Sequence, residues 1–173
     1  MTDVFMTFTG DPMTYQSAGG EWSNDDVTSS EQQTTIKALP NGGYVIAWVD
    51  GNGGENNIRA QVFDAAGMAV GAEILANAPT APFSYEVKYN PTIEVLANDN
   101  FVIAWDQTFA GSNGSGILAR VFDQSGAAVS EPFLAGTYSN DTVASGNDPA
   151  IVQAGGDQFW VISNAQAAYG NNG

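Results

Sequence analysis

A unit of about 58 residues recurs along this chain, and this periodicity limits the fold more than any other feature of the sequence. Residues 33–48 align without gaps on residues 90–105, an offset of 57, with 8 of 16 positions identical. Residues 58–75 align on residues 117–134, an offset of 59, with 9 of 18 identical. Two blocks that recur in the same order at one period predict a repeat architecture.

A third, weaker copy starts at residue 148, where residues 148–163 share 4 of 16 positions with residues 90–105 at an offset of 58. The chain ends before the second block of this copy. The sequence therefore divides into an N-terminal strand and polar segment at 1–32, a first repeat at 33–89, a second at 90–147 and an incomplete third at 148–173.

Each full repeat predicts four β-strands and no helix. Strand-forming residues rich in Val, Ile and aromatics alternate with Gly-, Asn- and Asp-rich turns. The turn Asp64–Gly67, with Asp first and Gly fourth, is typical of a type I hairpin turn that closes with a left-handed glycine, and it recurs at Asp123–Gly126. The four strands predicted in the first repeat are Gln33–Leu39, Tyr44–Val49, Ile58–Phe63 and Ala69–Ala76.

The second strand of each repeat is apolar on both faces, which predicts burial on both sides. Stacked four-stranded antiparallel sheets with doubly covered inner strands are typical of β-propeller blades. The alternative is a β-sandwich, which ordinarily leaves one face of each sheet polar. The propeller hypothesis predicts that eight side chains are buried: Tyr44, Ile46, Trp48, Val62, Phe101, Ile103, Trp105 and Val121.

Propellers typically have four to eight blades, whereas this sequence supplies about two and a half. We therefore expect a partial propeller that is completed by the remainder of a longer chain, by the N-terminal segment or by other copies of the protein. Residues 4–9 alternate as a strand does and are a candidate to pair with the third repeat.

The charge balance excludes several classes of function. There are 19 Asp and Glu against 4 Lys and Arg, a net charge of -15, so the chain repels nucleic acid and anionic membrane surfaces. Without Cys or His, disulfides, zinc–thiolate sites and a Ser-His-Asp triad cannot form within the sequence. The apolar runs are too short for membrane insertion. These absences predict a protein that is not an enzyme.

The GGYVIAW strand at residues 42–48, the polar loop after it and the RAQVFDAAG block at residues 59–67 resemble a repeat of large secreted RTX-type (hemolysin-type calcium-binding) bacterial proteins and adhesins. That resemblance implies type I secretion without an N-terminal signal peptide, an extracellular or cell-surface location, and calcium. The N-terminus lacks the basic and apolar regions of a secretory signal, and proteins exported by type I secretion also lack an N-terminal signal. The alternative is a cytoplasmic protein. The glycine- and aspartate-rich nonapeptides of that family are absent from this sequence.

Two places are candidate binding sites. The loop 50–57 offers oxygen ligands interrupted by glycines, as hard cations require, so we place a calcium site at Asp50, Asn52 and Glu55. A polar connecting loop without a metal explains the same residues. Trp22 lies outside the repeat pattern and is a candidate to stack on a glycan, or to pack under a loop.

These observations favour a non-enzymatic extracellular repeat module for adhesion, surface structure or assembly. Its partners would be other copies of the chain, the rest of a longer chain, or a glycan or surface ligand. The first alternative is a carbohydrate-binding propeller lectin. The second is a fragment of an acid-based glycosidase, for which adjacent acids such as Asp25 and Asp26 would have to act on opposite sides of a bond. A solvated loop explains those two acids better.

Overall fold

The computed structural model describes residues 30–52, 55–78, 87–109, 114–139, 149–155 and 158–162, together with two short strands near the N-terminus. All elements in this part of the chain are β-strands, and no helix there is long and apolar enough to cross a membrane. The strands are β1 Met6–Phe8, β2 Tyr15–Ser17, β3 Ser30–Ala38, β4 Tyr44–Asn52, β5 Glu55–Phe63, β6 Ala69–Leu75, β7 Lys88–Val95, β8 Phe101–Phe109, β9 Gly114–Phe122, β10 Phe133–Ser139, β11 Ala150–Gly155 and β12 Gln158–Ile162.

Each full repeat folds as a four-stranded antiparallel sheet in which strands pair in chain order. The first sheet has the order β3-β4-β5-β6 and the second β7-β8-β9-β10. The described part of the third repeat is the antiparallel pair β11-β12. The predicted fold class, all-β with four-stranded blade-like units, is confirmed.

The N-terminal strand pairs differently from our expectation. Within the described residues, Met6–Phe8 pairs with Tyr15–Ser17 in a separate two-stranded sheet, and β11 pairs with β12. The prediction that residues 4–9 pair with the third repeat was therefore wrong. Alternation of apolar residues indicates a strand but carries no information about its partner.

The central hairpin of the first repeat is longer than predicted. The antiparallel ladder of β4 and β5 continues through Asp50↔Asn57 and Gly51↔Asn56 to Asn52↔Glu55. The sequence predicts a loop over these residues, because Gly and Asn are poor strand formers. The ladder extends because the apolar pairs that precede it hold the two strands in register, and each further pair adds backbone hydrogen bonds at little entropic cost.

The predicted Asp-x-x-Gly turns are confirmed in both full repeats. The amide of Gly67 donates to the carbonyl of Asp64 at 3.0 Å, and that of Gly126 to the carbonyl of Asp123 at 2.9 Å. Each Asp side chain also accepts two backbone amides, from Ala66 and Met68 in the first turn and from Ser125 and Ala127 in the second. These aspartates cap the turns, as the sequence analysis proposed.

The sheets stack face to face. We call the side of each sheet with Tyr44, Ile46 and Trp48, or with Phe101, Ile103 and Trp105, the front face; the opposite side, with Val45, Ala47 and Val49, or with Val102 and Ala104, is the back face. The back face of the first repeat and the front face of the second form one apolar core. Twelve residues carry this contact: Val45, Ala47, Val49, Ile58, Ala60, Val62, Ile74, Ile93, Phe101, Ile103, Trp105 and Phe122.

A second core repeats this arrangement one unit further along the chain. The back face of the second repeat, with Val102, Ala104 and Ala119, packs against Ile151, Phe159 and Val161 of the third repeat. Alignment places Phe159 and Val161 at the positions of Phe101 and Ile103, so these residues form the front face of the third repeat. Back-to-front stacking therefore occurs twice, as it does between propeller blades.

The burial predictions hold for most positions. Val62, Trp48, Phe101, Ile103 and Trp105 are buried. Tyr44, Ile46 and Val121 are only partly buried, so the prediction was wrong for these three. Tyr44 and Ile46 lie on the front face of the first repeat, which takes no part in the two contacts between repeats. Val121 faces the smaller β11-β12 sheet.

Candidate functional site

The most unusual backbone in the described residues lies in the first strand of each full repeat. A β-bulge interrupts β3 between Gln32 and Thr35, and another interrupts β7 between Tyr89 and Thr92. Gln33 and Asn90, one repeat apart, have positive φ angles of 54° and 51°. Non-glycine residues rarely adopt this conformation, and bulges and such strain concentrate near functional sites.

The two bulges are joined to each other and to a buried carboxylate. The backbone amide of Asn90 donates to Oε1 of Gln33 at 2.7 Å. The side-chain amide of Asn90 donates to Oδ2 of Asp106 at 2.9 Å. Asp106 lies on β8 opposite Tyr89 and is only 4% exposed. We call Gln33, Asn90 and Asp106 the bulge cluster.

Further polar groups on β7 and β8 are buried at positions next to this cluster in the chain. Nε1 of Trp105 donates to Oε1 of Gln107 at 3.1 Å, and both residues are buried. Lys88, which lies opposite Gln107, is also buried, and its carbonyl accepts from Asn56 at 3.4 Å. A buried carboxylate that is held by an amide in this way can accept a hydrogen bond from a hydroxyl or amide of a ligand, or can stiffen the junction between two sheets.

An ion pair also links equivalent positions of the two repeats. Nζ of Lys37 lies 2.8 Å from Oε2 of Glu94, and the two residues are 57 positions apart. Gln33 and Asn90 have the same spacing. The first strands of adjacent repeats are therefore joined twice by side chains at corresponding positions.

The predicted calcium ligands are brought to one end of the β4–β5 hairpin. The register pairs Asp50 with Asn57, and Asn52 with Glu55 two steps further along. The Asp50 carboxylate accepts from Nε of Arg59, whose Nη1 also donates to Glu73. Burial alone would lower the pKa of Arg59, but its hydrogen bonds with the two carboxylates outweigh burial and raise that pKa.

Within the described ranges, no group of three or more acidic side chains is arranged to hold a metal ion. A cation at Asp50 would have to compete with the guanidinium of Arg59. The calcium site therefore stays a prediction. Trp22, Asp25 and Asp26 lie outside the described residues, so the glycan-stacking prediction and the paired-acid alternative are also untested.

An open groove of about 360 Å³ lies between the first two sheets, at the turn of the second repeat. Its walls include Ile74, Phe122 and Gly126. The guanidinium of Arg120 lies 5.5 Å from the centre of the Phe122 ring and donates to the carbonyls of Ser130, Ala76 and Ala78. Arg120 thus hydrogen-bonds to the end of the first repeat and to its own repeat, and stabilises the contact between them.

The bulge cluster has no counterpart among the sites predicted from the sequence. Its members are ordinary polar residues, and a backbone angle cannot be read from residue type when the residue is not glycine. The sequence does carry a signal for the other link between the first two repeats, because Lys37 and Glu94 are oppositely charged residues at the same repeat position. Comparing charges at equivalent positions would have predicted their contact.

Comparison with known proteins identifies the type of fold. The sequence matches no protein-family model, and the comparison with curated proteins gave no match. Among solved structures, the chain is similar to an endo-arabinase from Bacteroides thetaiotaomicron VPI-5482, with a TM-score of 0.54 and 14% sequence identity. The similarity covers 88% of this chain and 58% of that protein, whose fold is of the β-propeller type. The described sheets are therefore propeller-like blades that do not close into a ring.

Proposed function

We propose that this chain is a non-enzymatic repeat module that serves adhesion, surface structure or assembly outside the cell. The proposal rests on the observation that carboxylate side chains in the described residues make structural contacts. Six acidic side chains in the described residues make contacts that hold turns, strands or repeats together: Asp50, Asp64, Glu73, Glu94, Asp106 and Asp123.

The stacking of the sheets supports the same proposal. Both interfaces between repeats have an apolar core, and the interface between the first and second repeats adds the polar links Lys37–Glu94 and Asn90–Gln33. A unit of this kind can be repeated without changing its contacts, which suits an extended structural protein. The net charge of -15 opposes non-specific clumping of such a module.

The experiment combines location and activity. Antibodies raised against the purified chain should label intact, non-permeabilised cells of the source organism, or should detect the protein in the culture medium. The purified chain should release no reducing sugar from arabinan or from a panel of bacterial and plant polysaccharides. Labelling that appears only after permeabilisation would contradict the proposed location, and hydrolysis would contradict the non-enzymatic role.

A glycosidase is the second candidate, and two observations favour it. The chain shares its fold with an endo-arabinase, and Asp106 is a buried carboxylate beside a strained β-bulge. The hydrolysis assay includes Asp106→Asn as its critical variant, because the amide keeps the shape and can still hydrogen-bond to Asn90. Activity of the parent that is lost in Asp106→Asn, but kept in Glu73→Gln, would show that the chain is a glycosidase and not a non-enzymatic module.

Calcium is the cation that the module would bind. The self-repulsion of a chain with net charge -15 is relieved by any bound cation, and a ligand that binds only the folded form raises its melting temperature. We expect millimolar calcium to raise the melting temperature more than sodium chloride of equal ionic strength does. Asp50→Ala should remove the difference. Equal shifts from both salts would show screening alone, and a calcium-specific shift that survives in Asp50→Ala would move the site elsewhere.

A further inference from the structure

The back face of the third repeat is exposed and apolar. Val152 and Trp160 are directly opposite each other on β11 and β12, and Ile162 is two residues further along the same face. Their exposed fractions are 50%, 67% and 57%. The other face of the same two strands packs on the second repeat through Ile151, which is 7% exposed, and the partly buried Phe159.

The equivalent positions in the other repeats are covered. Trp160 and Ile162 align with Val102 and Ala104 of the second repeat, which are both 0% exposed because the third repeat packs on them. At the position of Val152, the first repeat has Lys37 and the second has Glu94, and these two residues form the ion pair with each other. The third repeat therefore has a more apolar back face than its counterparts, although that face is the exposed one.

The two internal interfaces show which surface covers a back face. In both, the occupant is the front face of another repeat of this chain. The first repeat has a front face with an exposed part: Ile36, which pairs with Ile46, is 57% exposed, whereas its equivalent Ile93 is buried at 5%. The described residues thus include both halves of an inter-repeat contact: an open back face on the third repeat, and a front face on the first repeat that is exposed at Ile36, although Trp48 and Phe63 on the same face are buried.

We propose that the back face of the third repeat, at Val152, Trp160 and Ile162, binds the front face of the first repeat of a second copy, around Ile36. The contact continues the back-to-front stacking between molecules. It is heterologous, joining different surfaces of two identical chains, so it leads to a closed ring or to an open array. The inference deepens the assembly role proposed above and rests on it.

The charge of the chain gives this contact a characteristic salt dependence. Two copies of net charge -15 repel each other, and the four residues that define the proposed contact, Val152, Trp160, Ile162 and Ile36, are uncharged. Added sodium chloride screens the repulsion and leaves the apolar contact in place. Self-association should therefore become tighter between about 50 and 500 mM salt, whereas an interface built on ion pairs would weaken.

The test is sedimentation velocity combined with light scattering on the parent and on three variants. The parent should show a species of at least twice the 18.1 kDa chain mass at micromolar concentration. Trp160→Asp and Ile36→Asp should each weaken the association about thirtyfold or more, as expected for a buried anchor residue. Met68→Asp changes an apolar residue that is 66% exposed in a turn and should associate like the parent.

Mixing the two disruptive variants distinguishes this contact from others. Trp160→Asp keeps an intact surface at Ile36, and Ile36→Asp keeps an intact surface at Trp160. An equimolar mixture should therefore form a one-to-one complex, although each variant alone is monomeric. If two third repeats met face to face, Ile36→Asp would associate normally, and that result would overturn the proposal.

Circular dichroism melting of each variant shows whether it is folded; both substituted residues are exposed, so folding should be retained. A parent that is monomeric up to several hundred micromolar, or a Trp160→Asp variant that associates like the parent, would overturn the proposal. Either result leaves the surface-labelling and hydrolysis tests of the proposed function unchanged, so the two failures are distinguishable.

Discussion

The first two repeats have nearly the same local structure but differ in what covers them. Both are four-stranded meanders with a bulge in the first strand and an Asp-x-x-Gly turn before the last. Ile36 and Ile93 occupy the same position on that first strand, yet one is 57% exposed and the other 5%. The repeat sequence therefore determines the shape of each sheet, and a preceding sheet determines whether the isoleucine of the first strand is buried on the front face.

The glycines of the two turns differ for the same reason. Gly67 and Gly126 both have left-handed backbones, with φ angles of 79° and 87°. A Cβ added at Gly67 would meet only the hydroxyl oxygen of Tyr44, at 3.6 Å. A Cβ at Gly126 would lie 2.8 Å from Cδ1 of Ile74 in the first repeat. The second turn packs on another sheet, whereas the first has more space.

The largest expected difference between the repeats is at the isoleucine pair. Ile93→Ala should lower the free energy of unfolding by about 3 kcal/mol, because it opens a cavity between two sheets. Ile36→Ala should lower it by less than about 0.5 kcal/mol, as is usual for an exposed side chain. Urea unfolding of dilute protein, where copies are separate, measures both. Equal losses would mean that the front faces of the two repeats are covered alike.

The turn glycines should show a smaller difference. Gly67→Ala places a Cβ on a left-handed residue and should cost about 1 kcal/mol. Gly126→Ala carries the same backbone cost and also crowds Ile74, so we expect about 2–3 kcal/mol. The comparison uses thermal unfolding of the two variants. The additional cost should fall when Gly126→Ala is combined with Ile74→Val, which removes the crowding methyl group; no change on combination would show that the contact with Ile74 is unimportant.

The ion pair between the repeats should contribute less. Lys37 and Glu94 are both partly exposed, so we expect a coupling of less than about 1 kcal/mol. A double-mutant cycle with Lys37→Met and Glu94→Gln measures it, and the coupling should decrease in 0.5 M salt. The Arg59–Glu73 pair, within one repeat, is the matched control. If the Lys37–Glu94 coupling is unchanged by salt, the pair is less accessible to solvent than its geometry indicates.

The smallest expected effect is on the stability of the folded protein at acidic pH. The pKa of Asp123 is lowered, chiefly by the hydrogen bond from the hydroxyl of Ser125 and further by backbone amides. A carboxyl group with a lowered pKa in the folded state stabilises the protein above its ordinary pKa of 3.8, and this contribution is lost as the pH falls through the lowered value. Ala66 stands at the position of Ser125 in the first repeat.

Ser125→Ala should therefore raise the pKa of Asp123 toward its ordinary value. The variant should differ most from the parent above pH 4, and the difference should shrink as the pH falls through the lowered pKa and Asp123 becomes protonated in the folded as well as the unfolded chain. Carbon-detected NMR titration of the carboxyl group gives the pKa directly, and thermal unfolding over the same pH range gives the stability. An unchanged pKa in Ser125→Ala would assign the shift to the backbone amides instead.

The sequence alone determined the repeat, the strands and the turns. These features depend on local chemistry: alternating side chains in strands such as Tyr44–Val49, and an aspartate and a glycine placed where the turn at Asp64–Gly67 needs them. The blade-like class followed because a strand that is apolar on both faces must be covered twice. None of this depends on which sheets are adjacent.

Which faces are covered, and how the repeats are joined, depends on tertiary packing. Ile36 and Ile93 have the same residue type at the same repeat position, and stacking alone makes their exposures differ. The link from Gln33 through Asn90 to Asp106 requires positive φ angles that these residue types do not demand. Burial and long-range hydrogen bonds depend on neighbours distant in sequence, whereas strands and turns depend on neighbours within a few residues.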